Sequence, residues 1–166
     1  GVIQGIATDT SLFNNEIGIG KRLEVGSDID ADNSSSRLIG NAKYVTYGPD
    51  ADGLALAVGV AGVANHLRPT PYVVSTIGTG ITHLHLGTMR IDGSNRCIAG
   101  FDRSLGKLTL MCDYTSGSDA FSSLGFNYQS NAHFAIMAGV LFPNEDGDTR
   151  FTVHFVFCQS VEGNRS

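Results

Sequence analysis

The chain has 166 residues, of which 42% are hydrophobic and only 16% charged. A typical domain carries about 25% charged residues, so charge-driven disorder and a charged coiled coil are both excluded. The net charge of −5, from 11 basic and 16 acidic residues, leaves little to gain from counterion release, which argues against independent nucleic-acid binding. No apolar run approaches the roughly 20 residues of a helical membrane span, and no secretory signal is recognised. A membrane partner is therefore not expected.

In chain order, residues 1–36 are polar and irregular, with Asn14-Asn15 and the run Ser34-Ser35-Ser36. They read as an extended N-terminal arm with room for one short strand. Gly1 in place of Met fits either a trimmed start or release from a longer precursor by a protease. The regular part begins near Arg37. Lys43 to Tyr47 is rich in β-branched and aromatic residues and reads as a strand, stopped by Gly48-Pro49-Asp50. Leu54, Leu56, Val58 and Val60 alternate with small residues at period two, which fits a strand, with a small-residue helix as the alternative. Pro71 to Ile77 is expected to form a short helix with Pro near its start.

Ile81 to Ile91 alternates again, with Leu84 and Leu86 on one face and Ile81, His83, His85 and Met89 on the other. Asp92-Gly93-Ser94-Asn95 is a turn. Lys107 to Tyr114 is a strand with Leu108, Leu110 and Cys112 on one face. Residues 115–131 read as a loop with a short strand over Phe121 to Tyr128. His133 to Phe142 is a nearly continuous apolar run, as in a strand buried on both faces. Pro143 to Asp148 is a hairpin connection. In Thr149 to Cys158, Phe151, Val153, Phe155 and Phe157 form one face and Thr152, His154, Val156 and Cys158 the other. About eight short strands separated by turns imply an all-β sandwich or barrel.

Several constellations invite a chemical reading. Asp28, Asp30 and Asp32 alternate as at the start of a calcium loop, but Asn33 stands where that loop needs Gly and Ile39 where it needs a bidentate Glu. A solvated acidic turn is the expectation, and the same holds for Asn144 to Asp148. His83 and His85 lie roughly 7 Å apart along one strand face, a spacing suited to two metal ligands. A zinc site needs three or four, and only His133 and His154, on other strands, could complete it; no metal site is expected. Gly18-Ile19-Gly20-Lys21 lacks the full phosphate-loop spacing. Ser116, Asp119 and His133 make a catalytic triad only on paper, and no Ser sits in a nucleophile elbow. The three cysteines, Cys97, Cys112 and Cys158, are an odd number with no Cys-x-x-Cys pair, which suits a reducing compartment. Asn33-Ser34-Ser35 and Asn164-Arg165-Ser166 match the glycosylation sequon, a triplet common by chance. The expectation is a non-enzyme with no catalytic residues and no cofactor.

The ordered segments resemble the jelly-roll coat proteins of picorna-like viruses. The resemblance spans residues 37–160. It rests on the Gly-opened strand Gly80 to Ile91 and on Gly106-Lys107-Leu108-Thr109-Leu110-Met111-Cys112-Asp113-Tyr114 leading into Thr115-Ser116-Gly117. It also rests on the proline-started segment before Gly80 and the closing hairpin of His133 to Pro143 with Thr149 to Phe157. The ending Phe151 to Asn164 is most similar to the small coat subunit of plant comoviruses and their secovirid relatives, among which cheraviruses make three separate coat proteins. The family has two full strands and long loops where this chain has only residues 115–131.

The resemblance implies an antiparallel jelly-roll β-sandwich of about eight strands with one short helix near 71–77. The domain would cover 37–160, preceded by the arm 1–36 and followed by a tail at 161–166. It implies a structural subunit of an icosahedral capsid in the virion, found in host cytoplasm during assembly. Its partners would be the other coat subunits, with encapsidated RNA touched only indirectly at this negative charge. Opposed sheets would bury Phe151, Val153, Phe155, Phe157, Leu108, Leu110, Leu84 and Leu86 as the core. The alternative is a soluble β-sandwich ligand-binding module of the carbohydrate-binding type, for which the absence of Trp leaves a poor aromatic platform.

Overall fold

The computed structural model describes residues 12–19, 22–30, 37–48, 53–63, 68–132 and 134–157. They form eleven strands: β1 (Leu12–Ile19), β2 (Leu23–Asp30), β3 (Arg37–Tyr47), β4 (Gly53–Val63), β5 (Thr70–Thr79), β6 (Thr82–Ile91), β7 (Ser94–Leu105), β8 (Leu108–Thr115), β9 (Phe121–Asn131), β10 (Phe134–Pro143) and β11 (Arg150–Phe157). All belong to one antiparallel sheet whose order is the sequence order, β1 through β11. Every substantial strand–strand contact joins sequence neighbours. The all-β class is as expected.

Turn chemistry explains the simple order. Asp92 and Gly93 both have positive φ, 48° and 85°, and join Ile91 to its partner Ser94. This is the two-residue type I′ connection that Asp-Gly favours, because its twist matches that of the flanking strands. Gly80 and Gly106, at φ 62° and 66°, open the two-residue turns between Thr79 and Thr82 and between Leu105 and Leu108. Three tight hairpins in succession fold β5–β8 back and forth, each strand beside the last.

Two expectations are corrected here. The first is the helix at 71–77. These residues lie in β5, paired with β4 on one side and β6 on the other. Val73, Val74, Thr76 and Ile77 are β-branched, and ladders on both edges outweigh the weak helix-start signal of Pro71. Pro71 itself pairs only with Val60 of β4, while pairing with β6 starts at Tyr72, so its missing N–H costs no ladder bond there. The second is the two-sheet sandwich. A jelly roll brings non-sequential strands side by side through long crossovers, and among the described strands there is one sheet with sequential neighbours only.

The N-terminal segment read as an arm supplies β1 and β2, which continue the same sheet through β3. The segment 115–131 holds a full eleven-residue strand, β9. The connection at 144–149 joins β10 to β11, as the turn residues there imply.

Registry sorts the side chains onto two unlike faces. One row runs Leu54, Ile77, Leu84, Phe101, Cys112, Leu124, Val140 and Phe151 straight across β4–β11. On this Leu84 face, Leu84 is 50% exposed, Leu86 59% and Phe151 80%. The opposite His83 face carries rows such as Gly78, His83, Asp102, Met111, Gly125, Gly139 and Thr152. Ala57, Met89, Ile98, Ala135 and Leu141, the buried apolar side chains among the described residues, all lie on this second face. Glycines there leave room for long neighbours. The Tyr72 ring lies over Gly59, where an added Cβ would come within 2.3 Å of it, an arrangement that shields a strand glycine.

The expected core is thus corrected in one respect. Phe151, Val153, Phe155, Leu108, Leu110, Leu84 and Leu86 do share a face, but it is one face of one sheet, and no second layer among the described residues covers it. Phe157 lies at the end of β11, paired with Phe134.

One side chain ties the loops at one end. Asn144 Nδ2 donates to the carbonyls of Thr115 (2.7 Å) and Gly117 (2.8 Å), and its Oδ1 accepts from the Ser122 hydroxyl at 3.0 Å. This joins the β10–β11 connection to the β8–β9 loop. Asn144→Ala should destabilise the chain by about 1–3 kcal/mol, since it leaves the half-buried carbonyl of Thr115 without its donor. Urea denaturation would measure this, with the midpoint falling and the slope unchanged.

Candidate functional site

The densest polar cluster among the described residues lies in the middle of the His83 face. It follows directly from hairpin register. The Asp92-Gly93 turn sets His83 opposite Asp102 and His85 opposite Gly100. The Gly106 turn sets Gly100 opposite Asp113, and the Gly80 turn sets Thr76 opposite His85. Gly100 is the gap in this row. An added Cβ would lie 2.6 Å from Asp113 Oδ1 and 3.4 Å from His85 Cδ2, so only glycine lets β6 and β8 side chains approach across β7.

Asp102 bridges the two imidazoles. His83 Nδ1 and His85 Nε2 each lie 2.8 Å from one of its carboxylate oxygens, with the rings 6.4 Å apart and tilted by 31°. Thr76 Oγ1 lies 2.8 Å from His85 Nδ1. With neutral imidazoles, both rings donate to Asp102, which assigns the Nδ1–H tautomer to His83 and the Nε2–H tautomer to His85. His85 Nδ1 then accepts from the Thr76 hydroxyl.

Burial works against the Asp102 carboxylate, but the hydrogen bonds from His85 and His83 outweigh it and hold its pKa below the ordinary aspartate value. Asp113 moves the other way. Burial raises its pKa, opposed only in part by the charge of His85 and a long 3.4 Å bond from Ser123. His154 is pulled down by burial alone.

Among the described residues no group of three or more His, Cys, Asp or Glu is arranged to hold an ion. His154 sits on β11, five strand spacings from β6, or about 24 Å at ~4.8 Å per spacing. His133 lies outside the described residues. Asp102 and Asp113, which sequence patterning passed over, are the carboxylates that matter. Their signal was the Asp-Gly and Gly-Lys turns, from which register can be counted.

The other constellations resolve more simply. Asp28 and Asp30 alternate along β2, an extended strand and not a calcium-wrapping loop; Asp32 lies outside the described residues. Gly18 and Ile19 end β1, with β2 following, so no helix N-terminus stands behind them to receive phosphate. Ser116 and Asp119 are structural. Ser116 Oγ accepts from the Cys97 N–H at 2.8 Å. Asp119 pairs with Arg96, whose Nη1 also donates to the Ser116 carbonyl. That pairing lowers the Asp119 pKa and pins the β8–β9 loop to β7. Cys97 is exposed on the Leu84 face and Cys112 half-buried there; Cys158 lies outside the described residues. The connection after Asn144 is exposed from Glu145 to Thr149, the solvated acidic turn expected.

The second candidate surface is the Leu84 face itself. Three of its hydroxyls are bonded within the molecule. Ser75 donates to the Leu86 carbonyl and Thr88 to the Arg96 carbonyl, both at 3.0 Å, and Ser122 donates to Asn144. Charge enters this face through Arg90 and Arg103, each near a strand end. Such a surface can be dried at little polar cost.

No family model matches the chain, and no curated protein or solved structure matches it.

The two aspartates predict opposite pH behaviour. A lowered folded pKa at Asp102 contributes stability that is present above about pH 4, the unfolded aspartate value, and is lost as pH falls through the lower folded value. A raised pKa at Asp113 imposes a penalty that is absent at low pH and grows as pH rises from about 4 through the folded value. Asp102→Asn should therefore lower the melting temperature at pH 7, and Asp113→Asn should raise it. The difference between the Asp113 variant and the parent should vanish near pH 3. Thermal unfolding of both variants across pH 3–8 checks this.

Proposed function

We propose that this chain is a structural subunit of a multi-chain shell, of the viral coat class that its sequence resembles. One observation supports this best. The large apolar side chains gather on one face of a single sheet, and the described residues leave that face uncovered. A sheet with one apolar face requires a second layer. Here that layer has to come from outside the described part of the chain, and neighbouring subunits supply it in this reading. The sequential strand order departs from the jelly roll, so the coat reading takes the form of an open meander sheet tiled against its neighbours. RNA would be neutralised by partner subunits or by cations, in keeping with the charge of −5.

The ligand-binding module is less well supported. The central polar groups of the His83 face bond one another, with Asp102 holding two imidazoles and Thr76 a third bond. The hollow beside Pro71, Tyr72, Met89 and Asn95 is shallow and open, unlike the enclosing pockets that hold small ligands.

Native material should sediment as a large particle carrying this chain together with partner coat proteins and RNA, and electron imaging should show closed shells. A slow monomer or small oligomer from native source would overturn the coat reading.

A further inference from the structure

We infer that the Leu84 face is covered by a second copy of this chain, the two sheets packing face to face across a twofold axis. The inference rests on the structural-subunit reading and names its first partner. Eleven strands at ~4.8 Å spacing and ten residues at ~3.3 Å rise give the face an extent on the order of 1,600 Å2. Two such faces together exceed the roughly 1,200–2,000 Å2 of total surface that a stable pair buries, and half of each, about 1,600 Å2, still falls within that range. An apolar face pairs with an identical apolar face without needing charge complementarity, and a twofold contact is self-complementary by construction. Aligned sheet-on-sheet packing is the ordinary way to bury two such faces, about 10 Å apart.

The surface relief suits this partner. On β7 the small side chain of Ala99 lies between Leu86 on β6 and Tyr114 on β8, with Cys97 next along the strand opposite Thr88. This is a furrow flanked by ridges near the middle of the sheet, the form that interdigitates with its own copy. Lipid fits less well. The sheet runs from β1 to β11 with those two strands at its ends, and an open sheet edge leaves backbone groups that hydrocarbon cannot satisfy. The internally bonded hydroxyls of Ser75 and Thr88 allow the face to be dried, while Arg90 and Arg103 can extend to the rim.

The test uses the full chain alone, purified without detergent. Sedimentation equilibrium should give twice the 17.5 kDa chain mass. Maleimide labelling followed by peptide mapping should find Cys97 protected at least tenfold relative to the same site after dilution to the monomer. Leu84→Asp with Leu124→Asp should shift the association constant at least 100-fold towards monomer and release Cys97. Thr152→Asp, on the opposite face, should leave both readings unchanged. If the double variant loses its β-sheet circular dichroism, the Cys97 protection of the unaltered chain still decides.

A monomeric parent chain with a freely reactive Cys97 overturns the second-copy inference. If that monomer enters shells when mixed with partner coat proteins, the coat reading stands and only the identity of the covering layer was wrong. If it enters none, both fall. A chain that remains monomeric and dissolves only with detergent or in phospholipid vesicles makes lipid the occupant, and also overturns the inference.

Discussion

A β-sheet with one apolar face cannot be the whole of a folded domain. Burial of apolar area is the main term opposing the conformational entropy of the chain, and a single layer buries only what neighbouring side chains cover on each other. In this molecule the backbone ladders are well formed across eleven strands. The side chains that should provide most of the burial are nevertheless still in water: Leu84, Leu86, Leu124, Phe151 and Phe155 are each half exposed or more. The layer is complete as hydrogen-bonded structure and incomplete as a hydrophobic core. Its stability therefore depends on whatever layer covers this face.

The two faces divide the work. The His83 face carries the buried apolar side chains and the polar cluster. Glycines at 59 and 100 let Tyr72, His85 and Asp113 lie across neighbouring strands, and Asp102 holds both His83 and His85. The Leu84 face is suited to being covered, because Ser75 and Thr88 return their hydroxyls to sheet carbonyls and one apolar row runs unbroken from β4 to β11. Reversing the register of any strand by one residue would exchange the two sets, so the tight turns carry the sidedness of the whole sheet.

Much of this was legible in the sequence, and the reasons are specific. Period-two alternation placed Leu84 and Leu86 opposite His83 and His85, and Phe151, Val153 and Phe155 opposite Thr152 and His154. Patterning spread the turn over Asp92 to Asn95, two residues too long, since Ser94 and Asn95 already belong to β7; counting outward from Asp92-Gly93 brings His83 to Asp102 and His85 to Gly100. The turn was thus readable, but its length, and with it the central carboxylate, was missed. Pro71 misled because a helix-start signal is local, whereas the ladders on both sides of β5 are not. The residues named as core were correctly grouped on one face. Their assignment to opposed sheets failed because alternation records which residues share a face and carries no information on how many sheets the chain makes.

That last distinction also explains why a jelly-roll resemblance and a meander can arise from one set of segments. Both are antiparallel, both alternate apolar and polar residues, and both are punctuated by Gly, Pro and Asp turns. They differ in which strands become neighbours. Here three successive two-residue turns, with Gly80, Asp92, Gly93 and Gly106 at positive φ, leave no length for a crossover between β5 and β8. Each of those strands can only lie beside the one before it. Any sandwich containing this sheet must then draw its second layer from beyond these strands, and the uninterrupted Leu84 face is the surface on which that layer has to sit.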